Sequence, residues 1–368
     1  MAAQILHPTA ENIAFLGERL RCGAVVAMPT ETVYGLAANV WDEFALAKVF
    51  EVKERPKFDP LICHISDGWL GNSNAGSPSS VSKLVNLVDT GLLNKELLGT
   101  QQYADAEALA QHFWPGPLTL VLPKSEKITD LATSGLPTLG IRAPRHPIAQ
   151  SLITAAGVPL CAPSANRFGR ISPTSAQDVF EELGDRIDWI LDGGACEIGL
   201  ESTVVGFDKN GPRILRCGGV PKEKLEAALG KPVPHTPLAI VGSGQLASPG
   251  MLASHYAPRK KLVLLPRPFH LMMFKELAAL KLENASLGLL FCFGQSKIEP
   301  SMFAQGNHVS VTTSLSPSGD IVEAARNLFR ELRRLDADER TTHLLAEPPP
   351  TTQGLGAAIL DRLLRAAS

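Results

Sequence analysis

The chain has 368 residues, of which 45% are hydrophobic and 20% charged, and its formal net charge at pH 7 is −2. This composition is typical of a folded globular protein, and the length predicts two domains. The near-neutral charge excludes a general attraction to nucleic acid, and the lack of a signal pattern or a bilayer-length apolar run argues against a membrane protein, so we expect a cytoplasmic location.

The first predicted elements lead into a polar turn. A helix is predicted over residues 11–21 and a buried strand over 22–28. Pro29 and Gly35 then bracket a turn, because both residue types favour turn conformations. The turn places four polar side chains beside the strand: Thr30, Glu31, Thr32 and Tyr34.

Two cations follow at the end of the next predicted helix. Lys53 and Arg55 come just before Pro56, which prevents the helix from continuing. Taken alone, they are explained by the helix macrodipole, which favours positive charge at a helix C-terminus. His64, however, follows within one short strand predicted over 60–65. We therefore expect hydroxyl, cation and imidazole groups to converge at one end of a small sheet.

The middle of the chain supplies a further cation. Residues 66–102 are loop-forming, and we interpret them as a surface insertion without assigned chemistry. After a helix at 104–112, strands are predicted at 118–122 and 139–143. Arg142 lies in the second of these apolar strands and needs an anionic partner, because a buried unpaired guanidinium is costly. A structural Asp or Glu and a ligand carboxylate are equally good candidates.

A second polar loop resembles the first in its chemistry. A helix at 148–156 and a strand at 158–162 lead into Pro163-Ser-Ala-Asn and then Ser172-Pro-Thr, although Ser and Asn also form ordinary turns. A helix at 178–183, a strand at 189–192, antiparallel strands at 201–206 and 213–216, and a helix at 221–229 complete a domain of residues 1–230.

The remaining residues predict a linker and a second domain. Residues 231–260 are rich in Pro, Gly and Ser, but include His255 and Tyr256, so we expect an ordered linker. A glycine pattern at 242–247 mimics a dinucleotide fingerprint, but the Pro-Gly pair that follows would break the required helix. Residues 261–368 alternate strands and helices, which predicts a small α/β domain with a largely parallel sheet. Its predicted elements are strands at 262–265, 287–293, 309–313 and 343–345 and helices at 271–280, 321–335 and 357–364.

The polar groups together suggest a site for a polyanion and a small carboxylate. Strand-end loops supply hydroxyls and amides, namely Thr30, Thr32, Ser164, Asn166, Ser172, Ser202 and Thr203. Four cations, Lys53, Arg55, Arg142 and Arg216, accompany them with few acids to neutralise them. Phosphoryl or nucleotidyl transfer depends mainly on charge neutralisation and alignment, which such groups can provide.

At these residues the sequence resembles a known family. Its motifs include Pro29-Thr-Glu-Thr-Val-Tyr-Gly-Leu, Lys53-Glu-Arg-Pro, Phe113-Trp-Pro-Gly-Pro-Leu-Thr, Gly140-Ile-Arg-Ala-Pro, Glu201-Ser-Thr-Val-Val and Ser248-Pro-Gly-Met. These motifs occur in order along essentially the whole chain, and the sequence that carries them resembles the long form of the threonylcarbamoyl-AMP synthase family. The resemblance implies an α/β (α+β) fold: a YrdC-like twisted mixed open sheet with flanking helices, and a smaller Rossmann-like C-terminal domain.

The resemblance also implies an activity and a set of site residues. The activity is condensation of L-threonine, bicarbonate and ATP into threonylcarbamoyl-AMP and pyrophosphate, with Mg²⁺ accompanying ATP and no redox or organic cofactor. No protein side chain is assigned as a metal ligand. The implied threonine-binding residues are Thr32, His64, Arg142, Ala162 and Ser202. The implied ATP-binding residues are Arg55, Asp59, Thr138, Ser164, Ser172, Arg216 and Tyr256, with Tyr256 as part of a lid, and the implied catalytic residues are Lys53, Arg55, Ser164 and Asn166.

Two other functions remain open from the sequence. A cation-lined surface could instead bind an RNA backbone, or a YrdC-like domain could transfer a carbamoyl group to another acceptor. The weak net charge favours an enzyme over an RNA-binding module.

The resemblance also implies possible partners. These are tRNA or the transferase complex that uses the product to modify the adenosine next to the anticodon.

Overall fold

The computed structural model describes residues 2–70, 84, 87, 91–94, 96, 99–235, 255–280, 282, 284–294, 303 and 306–368. The chain divides into two units: the first comprises Met1–Phe168, Pro173–Glu197 and Glu201–Met251, and the second Gly169–Ser172, Ile198–Leu200 and Leu252–Ser368. The glycine pattern at 242–247, much of the insertion predicted at 66–102 and most of the linker predicted at 231–260 lie outside the described residues. Their interpretation and the domain boundaries derived from them stay predictions.

The first unit is built on a mixed sheet. Its described strands are β1 (Gln4–Leu6), β2 (Val26–Met28), β3 (Gly35–Asn39), β4 (Ile62–His64), β5 (Leu118–Pro123), β6 (Thr138–Arg142), β7 (Leu160–Cys161), β8 (Trp189–Leu191), β9 (Thr203–Asp208) and β10 (Gly211–Arg216). They lie in the order β1-β8-β2-β3-β7-β4-β6-β5-β9-β10. Parallel and antiparallel pairs alternate irregularly, with β4 parallel to β6 and β5 antiparallel to β6. The predicted mixed sheet is confirmed.

Helices flank this sheet. Those described are α1 (Ala10–Arg21), α2 (Glu43–Lys53), α3 (Thr100–Phe113), α4 (Asp130–Thr133), α5 (Pro147–Ala156), α6 (Ala176–Leu183) and α7 (Lys222–Leu229). Helices α1 and α5 bury Leu16, Leu20 and Leu152 against Val26 and Met28 of β2. A larger core gathers side chains from α2 and α3 with alternate residues of β4, β5, β6 and β7. The sheet is thereby held by apolar burial, the dominant favourable contribution to folding.

The second unit contains a parallel sheet, as predicted. Strands β11 (Lys261–Leu264), β12 (Ser286–Phe293), β13 (His308–Ser316) and β14 (His343–Ala346) lie in the order β11-β14-β12-β13, and each neighbouring pair is parallel. The described helices are α8 (Phe274–Ala278), α9 (Ile321–Ala337) and α10 (Leu355–Ala366).

The helix predicted over 271–280 has the wrong extent. A short 3₁₀ helix covers Phe269–Leu271, and Met272 and Met273 are extended before α8 begins. The Glu276 carboxylate accepts the backbone N–H of Met273 and so caps the start of α8.

No helix in the described part of the chain combines the length and the apolar character needed to cross a bilayer.

Candidate functional site

Strand register in the first unit puts polar and apolar residues on opposite faces. His64 pairs with Arg142, and the preceding residues, Cys63 and Ile141, pair with each other. Because side chains alternate along a strand, His64 and Arg142 share one face while Cys63 and Ile141 share the other. Cys63 and Ile141 belong to the larger hydrophobic core. The opposite face is therefore available for polar chemistry.

The Arg142 guanidinium is the centre of the first polar cluster. Its Nη2 lies 2.7 Å from Oε1 of Glu31. Its Nη1 donates to Oγ1 of Thr32 at 2.8 Å, and its Nε donates to the Gly116 carbonyl at 3.3 Å. Arg142 is only 4% exposed, so these contacts replace water as its hydrogen-bonding partners. Glu31 is therefore an anionic partner of Arg142, and it is of the structural kind, one of the two kinds of partner considered from the sequence.

A hydrogen-bonded turn presents Glu31 and Thr32 to Arg142. Oγ1 of Thr30 donates to the Val33 carbonyl at 2.6 Å and lies 2.8 Å from Oγ1 of Thr32. The backbone N–H groups of Thr32 and Val33 point back at the same hydroxyl. Serine and threonine hydroxyls stabilise turns in this way, so the local sequence fixes the conformation of the segment.

His64 is neutral beside this cluster. It is 3% exposed, and its Nδ1 lies 3.2 Å from the Ile62 carbonyl. Burial, reinforced by the positive charge of Arg142, lowers the pKa of His64 to about 3. At neutral pH the ring can therefore exchange hydrogen bonds with a ligand but adds no positive charge.

Lys53, the last residue of α2, holds the second polar loop. Its Nζ donates to the carbonyls of Ser164 and Asn166, and the Phe168 N–H donates to the Lys53 carbonyl. Burial and then the nearby Arg55 charge lower the pKa of Lys53 well below its usual range, while Asp59 and Glu182 oppose that change. An incoming anion would favour the charged form of the amine.

Arg55 and Asp59 form a buried ion pair next to Lys53. Nη2 of Arg55 lies 2.8 Å from Oδ2 of Asp59, and it also donates to the Pro60 carbonyl at 2.8 Å. Burial raises the pKa of Asp59, against the charges of Arg55, Lys53 and Arg216.

Arg216 connects this second cluster to the centre of the sheet. Its Nη2 donates to the Ser202 carbonyl at 3.0 Å, and Oγ of Ser202 lies 2.8 Å from Oγ1 of Thr119. Strands β5 and β6 are antiparallel and Leu120 pairs with Ile141. Thr119, one residue before Leu120, and Arg142, one residue after Ile141, therefore share the polar face. Hydrogen bonds therefore connect Arg216, Ser202 and Thr119, and Thr119 lies on the same face of the sheet as Arg142.

Thr32 reaches Arg142 beside His64, whereas the second polar loop begins toward the other end of these strands. His64 and Arg142 lie at the carboxyl ends of β4 and β6. Strand β7 is antiparallel to β4, so the loop that follows it, with Ala162 and Ser164, starts at the opposite end. The Ala162 N–H donates to the Ile62 carbonyl, and Ser164 bridges to Gly35. The polar groups are distributed along the sheet because its strands are not all parallel.

The expectation that few acids accompany the cations was wrong. Glu31 pairs with Arg142 and Asp59 pairs with Arg55, both in buried positions. Asp59, predicted to contact ATP, has its carboxylate committed to Arg55. Burying a guanidinium without such a partner would leave an uncompensated charge, which explains why both acids are present.

The other predicted residues occupy several places. Asn166 is buried, Ser164 is half-buried, and Thr138 begins β6. Ser172 and Tyr256 fall in the second unit, so their approach to the first unit's clusters stays a prediction. Tyr256 is buried there, its ring 5.4 Å from that of Phe329.

Two polar residues of the clusters were not assigned from the sequence. Glu31 and Thr119 both fall inside the quoted motifs, which was the available signal. An acid between two threonines and a threonine in an apolar strand each point to a polar contact in a buried place. Neither motif shows which distant residue completes that contact.

Family models cover almost the entire chain. A model of the Sua5/YciO/YrdC family, described as telomere recombination, matches residues 18–218. A model of the threonylcarbamoyl-AMP synthase C-terminal domain matches residues 220–368. The boundary between the two matches falls just before α7.

Individual relatives agree with these matches. The threonylcarbamoyl-AMP synthase of Pyrococcus abyssi is 37% identical over 95% of this chain and 92% of its own length. That of Bacillus subtilis is 36% identical over 97% and 93%, respectively. A crystal structure of P. abyssi Sua5 complexed with L-threonine superposes with a TM-score of 0.81 and 35% identity, covering 99% of this chain and 98% of that one. The chain therefore belongs to the threonylcarbamoyl-AMP synthase family of enzymes, in the form that has both an N-terminal Sua5/YciO/YrdC domain and the family's C-terminal domain.

Proposed function

We propose that the protein condenses L-threonine, bicarbonate and ATP into threonylcarbamoyl-AMP and pyrophosphate. The main support is the set of buried polar groups in the first unit: Arg142 with Glu31 and Thr32, Arg216 with Ser202, and Arg55 with Asp59 beside Lys53. Arg142 offers a guanidinium for a carboxylate, and the other groups offer several cations for a triphosphate. The family membership and the L-threonine bound to the P. abyssi relative support the same reaction.

In this proposal the Arg142 cluster binds threonine. Arg142 pairs with the threonine carboxylate, and Thr32, His64, Ser202 and the backbone at Ala162 orient the rest of the molecule. Because Thr32 already accepts a hydrogen bond from Arg142, the two side chains present a fixed donor and acceptor arrangement. Fixed polar groups lose little conformational entropy when a ligand binds.

The Lys53 cluster binds ATP in the same proposal. Lys53, Arg55 and Arg216 neutralise the phosphates, with Ser164, Asn166 and Thr138 around them. The family resemblance adds Ser172 and Tyr256, which belong to the second unit, as ATP-binding residues. Asp59 contributes by holding Arg55 in place. The carboxylates of Glu31 and Asp59 are paired with arginines, so Mg²⁺ enters as part of the MgATP substrate and is held by its phosphates.

The reaction then depends mainly on positioning. The threonine amine, after losing a proton, forms a bond to the bicarbonate carbon, and water leaves to give a carbamate. A carbamate oxygen then attacks the α-phosphorus of ATP, and the bond to the departing pyrophosphate breaks. The cations stabilise the negative charge that builds up on the departing pyrophosphate. The product would serve a transferase complex that modifies the adenosine beside the anticodon of tRNA.

The burial of the cations favours a small-molecule enzyme over an RNA-binding module. Lys53, Arg55, Arg142 and Arg216 are each at most 7% exposed. Phosphates on the surface of a folded RNA cannot reach such groups, whereas a mononucleotide can. Affinity for tRNA that falls steeply with salt, without turnover of threonine and ATP, would instead support the RNA-binding function.

Substitution of Arg55 tests the phosphate role. Arg55→Ala and Lys53→Ala should each lower ATP- and threonine-dependent pyrophosphate release by about 100-fold or more, because each removes a cation at the developing charge. Lys48→Ala is the matched control: Lys48 lies on the same helix, but its side chain is 42% exposed and its Nζ lies 3.9 Å from Oδ2 of Asp188. Wild-type turnover in both the Arg55 and Lys53 variants would refute the role.

A further inference from the structure

Glu31 is the one acid in direct contact with the guanidinium of Arg142 among the described residues. It is 1% exposed and 2.7 Å from Nη2. Each nitrogen of the guanidinium contacts a different protein group, namely Glu31, Thr32 or the Gly116 carbonyl. A guanidinium has five N–H donors, so the described residues leave two of them for a ligand carboxylate.

The charge of Glu31 decides what kind of ligand this cluster attracts. Burial acts to raise the pKa of Glu31, but the Arg142 charge and its hydrogen bond outweigh burial, and the pKa lies below its ordinary value. The carboxylate is therefore ionised at neutral pH. With His64 neutral, the positive charge of Arg142 and the negative charge of Glu31 cancel.

The Lys53 cluster has a different charge balance. Arg55, Lys53 and Arg216 surround Asp59, and Glu182 is a second acid near Lys53. Three basic groups face two acids, and an incoming anion favours the charged form of Lys53, so this cluster suits a polyanion. A free α-amino acid, by contrast, carries one positive and one negative group and matches a site that offers one of each.

We propose that Glu31 is a specificity-determining residue of the amino-acid site, whose negative charge makes the Arg142 cluster select a zwitterion over a simple anion. This inference rests on the proposed function, because it assumes that threonine binds at Arg142. Glu31 serves as the partner for the ammonium charge and keeps phosphates and other carboxylates from occupying Arg142. Without it, the isolated guanidinium would attract any anion.

Binding of two matched ligands tests the inference. L-Threonine and 2,3-dihydroxybutanoate of the same configuration differ only in having an ammonium or a hydroxyl on the second carbon. Isothermal titration of the full-length protein should show that the wild type prefers threonine by about tenfold or more, which corresponds to about 1.4 kcal/mol. In Glu31→Gln the preference should fall to within about threefold, and inorganic phosphate should begin to compete with threonine.

Two variants serve as controls. Glu31→Asp keeps the charge and should keep the preference for threonine. Glu197→Gln makes the same chemical change at an exposed acid that pairs with Arg145, and its preference should equal that of the wild type.

The outcomes separate the inference from the proposed function. If Glu31→Gln weakens both ligands equally, Glu31 only supports the structure and the inference is wrong. If the wild type binds the two ligands equally, the inference is wrong. This comparison needs no variant, so it can be made even if Glu31→Gln does not fold. If the wild type binds no threonine even with ATP present, the proposed function fails instead.

Discussion

At the residue scale, two buried charges of the first unit have partners in distant parts of the sequence. Arg142 pairs with Glu31, and Lys53 holds the carbonyls of Ser164 and Asn166. The sequence indicated which residues were unusual, because polar side chains interrupt apolar strands. It could not indicate the pairs, since an Asp or Glu anywhere in the chain could have satisfied Arg142.

His64 gives a prediction of pH dependence. Its pKa is about 3 in the folded protein and about 6.5 as an unperturbed side chain, so between these values the unfolded chain binds a proton that the folded chain does not. The contribution of His64 to the free energy of unfolding should therefore fall as the pH falls from about 6.5 toward 3, by about 1.4 kcal/mol per pH unit.

Urea unfolding measured across that pH range checks this prediction. His64→Asn should show a shallower loss of stability on acidification than the wild type, because asparagine does not titrate. Identical slopes in the two proteins would mean that burial does not suppress protonation of His64.

At the element scale, the sequence predicted most strands and helices, and the local polar turns, because apolar periodicity and turn residues are local signals. The direction of β7 relative to β4 was not predictable in this way. Direction depends on how the intervening segments cross the sheet, and this determines that Ser164 and Arg142 lie toward opposite ends of their strands. The helix predicted at 271–280 has the wrong extent for a local reason, because the Glu276 carboxylate caps the helix at Met273 and the helix begins only at Phe274.

The close packing of α1 on α5 gives a prediction about stability. A Cβ added at Gly17 would lie 2.7 Å from the backbone carbon of Ala155 and 2.8 Å from its Cβ. Glycine-to-alanine changes within helices usually stabilise, but here the steric clash should dominate. We expect Gly17→Ala to lower the free energy of unfolding by about 1–3 kcal/mol.

Thermal or urea unfolding measures the change. Gly68→Ala is the control, because the nearest atom to its added Cβ is Oγ of Ser66 at 3.8 Å. Gly68→Ala should unfold almost as the wild type does. An equal or greater stability of Gly17→Ala would show that the helices separate without cost.

At the scale of the whole molecule, the two units are not simply consecutive in the sequence. The segment Gly169–Ser172 belongs to the second unit although the residues on both sides of it belong to the first. The Ala257 N–H donates to the Gly169 carbonyl at 2.7 Å, and Arg333 donates to the carbonyl of Ile171. Local sequence patterns predicted two domains. They did not predict that Gly169–Ser172 belongs to the second unit, because this depends on contacts between residues far apart in the chain.

Because Gly169–Ser172 belongs to the second unit, removal of the C-terminal part of the chain should disturb this segment. A protein of residues 1–230 lacks Ala257 and Arg333, so the segment that leads to Ser172, a proposed ATP-binding residue, loses its backbone partners. We expect its pyrophosphate release to fall by about 100-fold or more, since misplacement of binding groups is costly to catalysis. The far-ultraviolet circular dichroism spectrum shows whether the truncated protein is folded. A folded truncated protein with full activity would show that the second unit is dispensable.

The most direct test of the whole account is pyrophosphate release by the purified full-length protein when one substrate at a time is omitted. We expect release to require L-threonine, bicarbonate and ATP together, and replacement of threonine by other amino acids to lower it strongly. Release that continues without threonine or without bicarbonate, or no release when all three are present, would contradict the account.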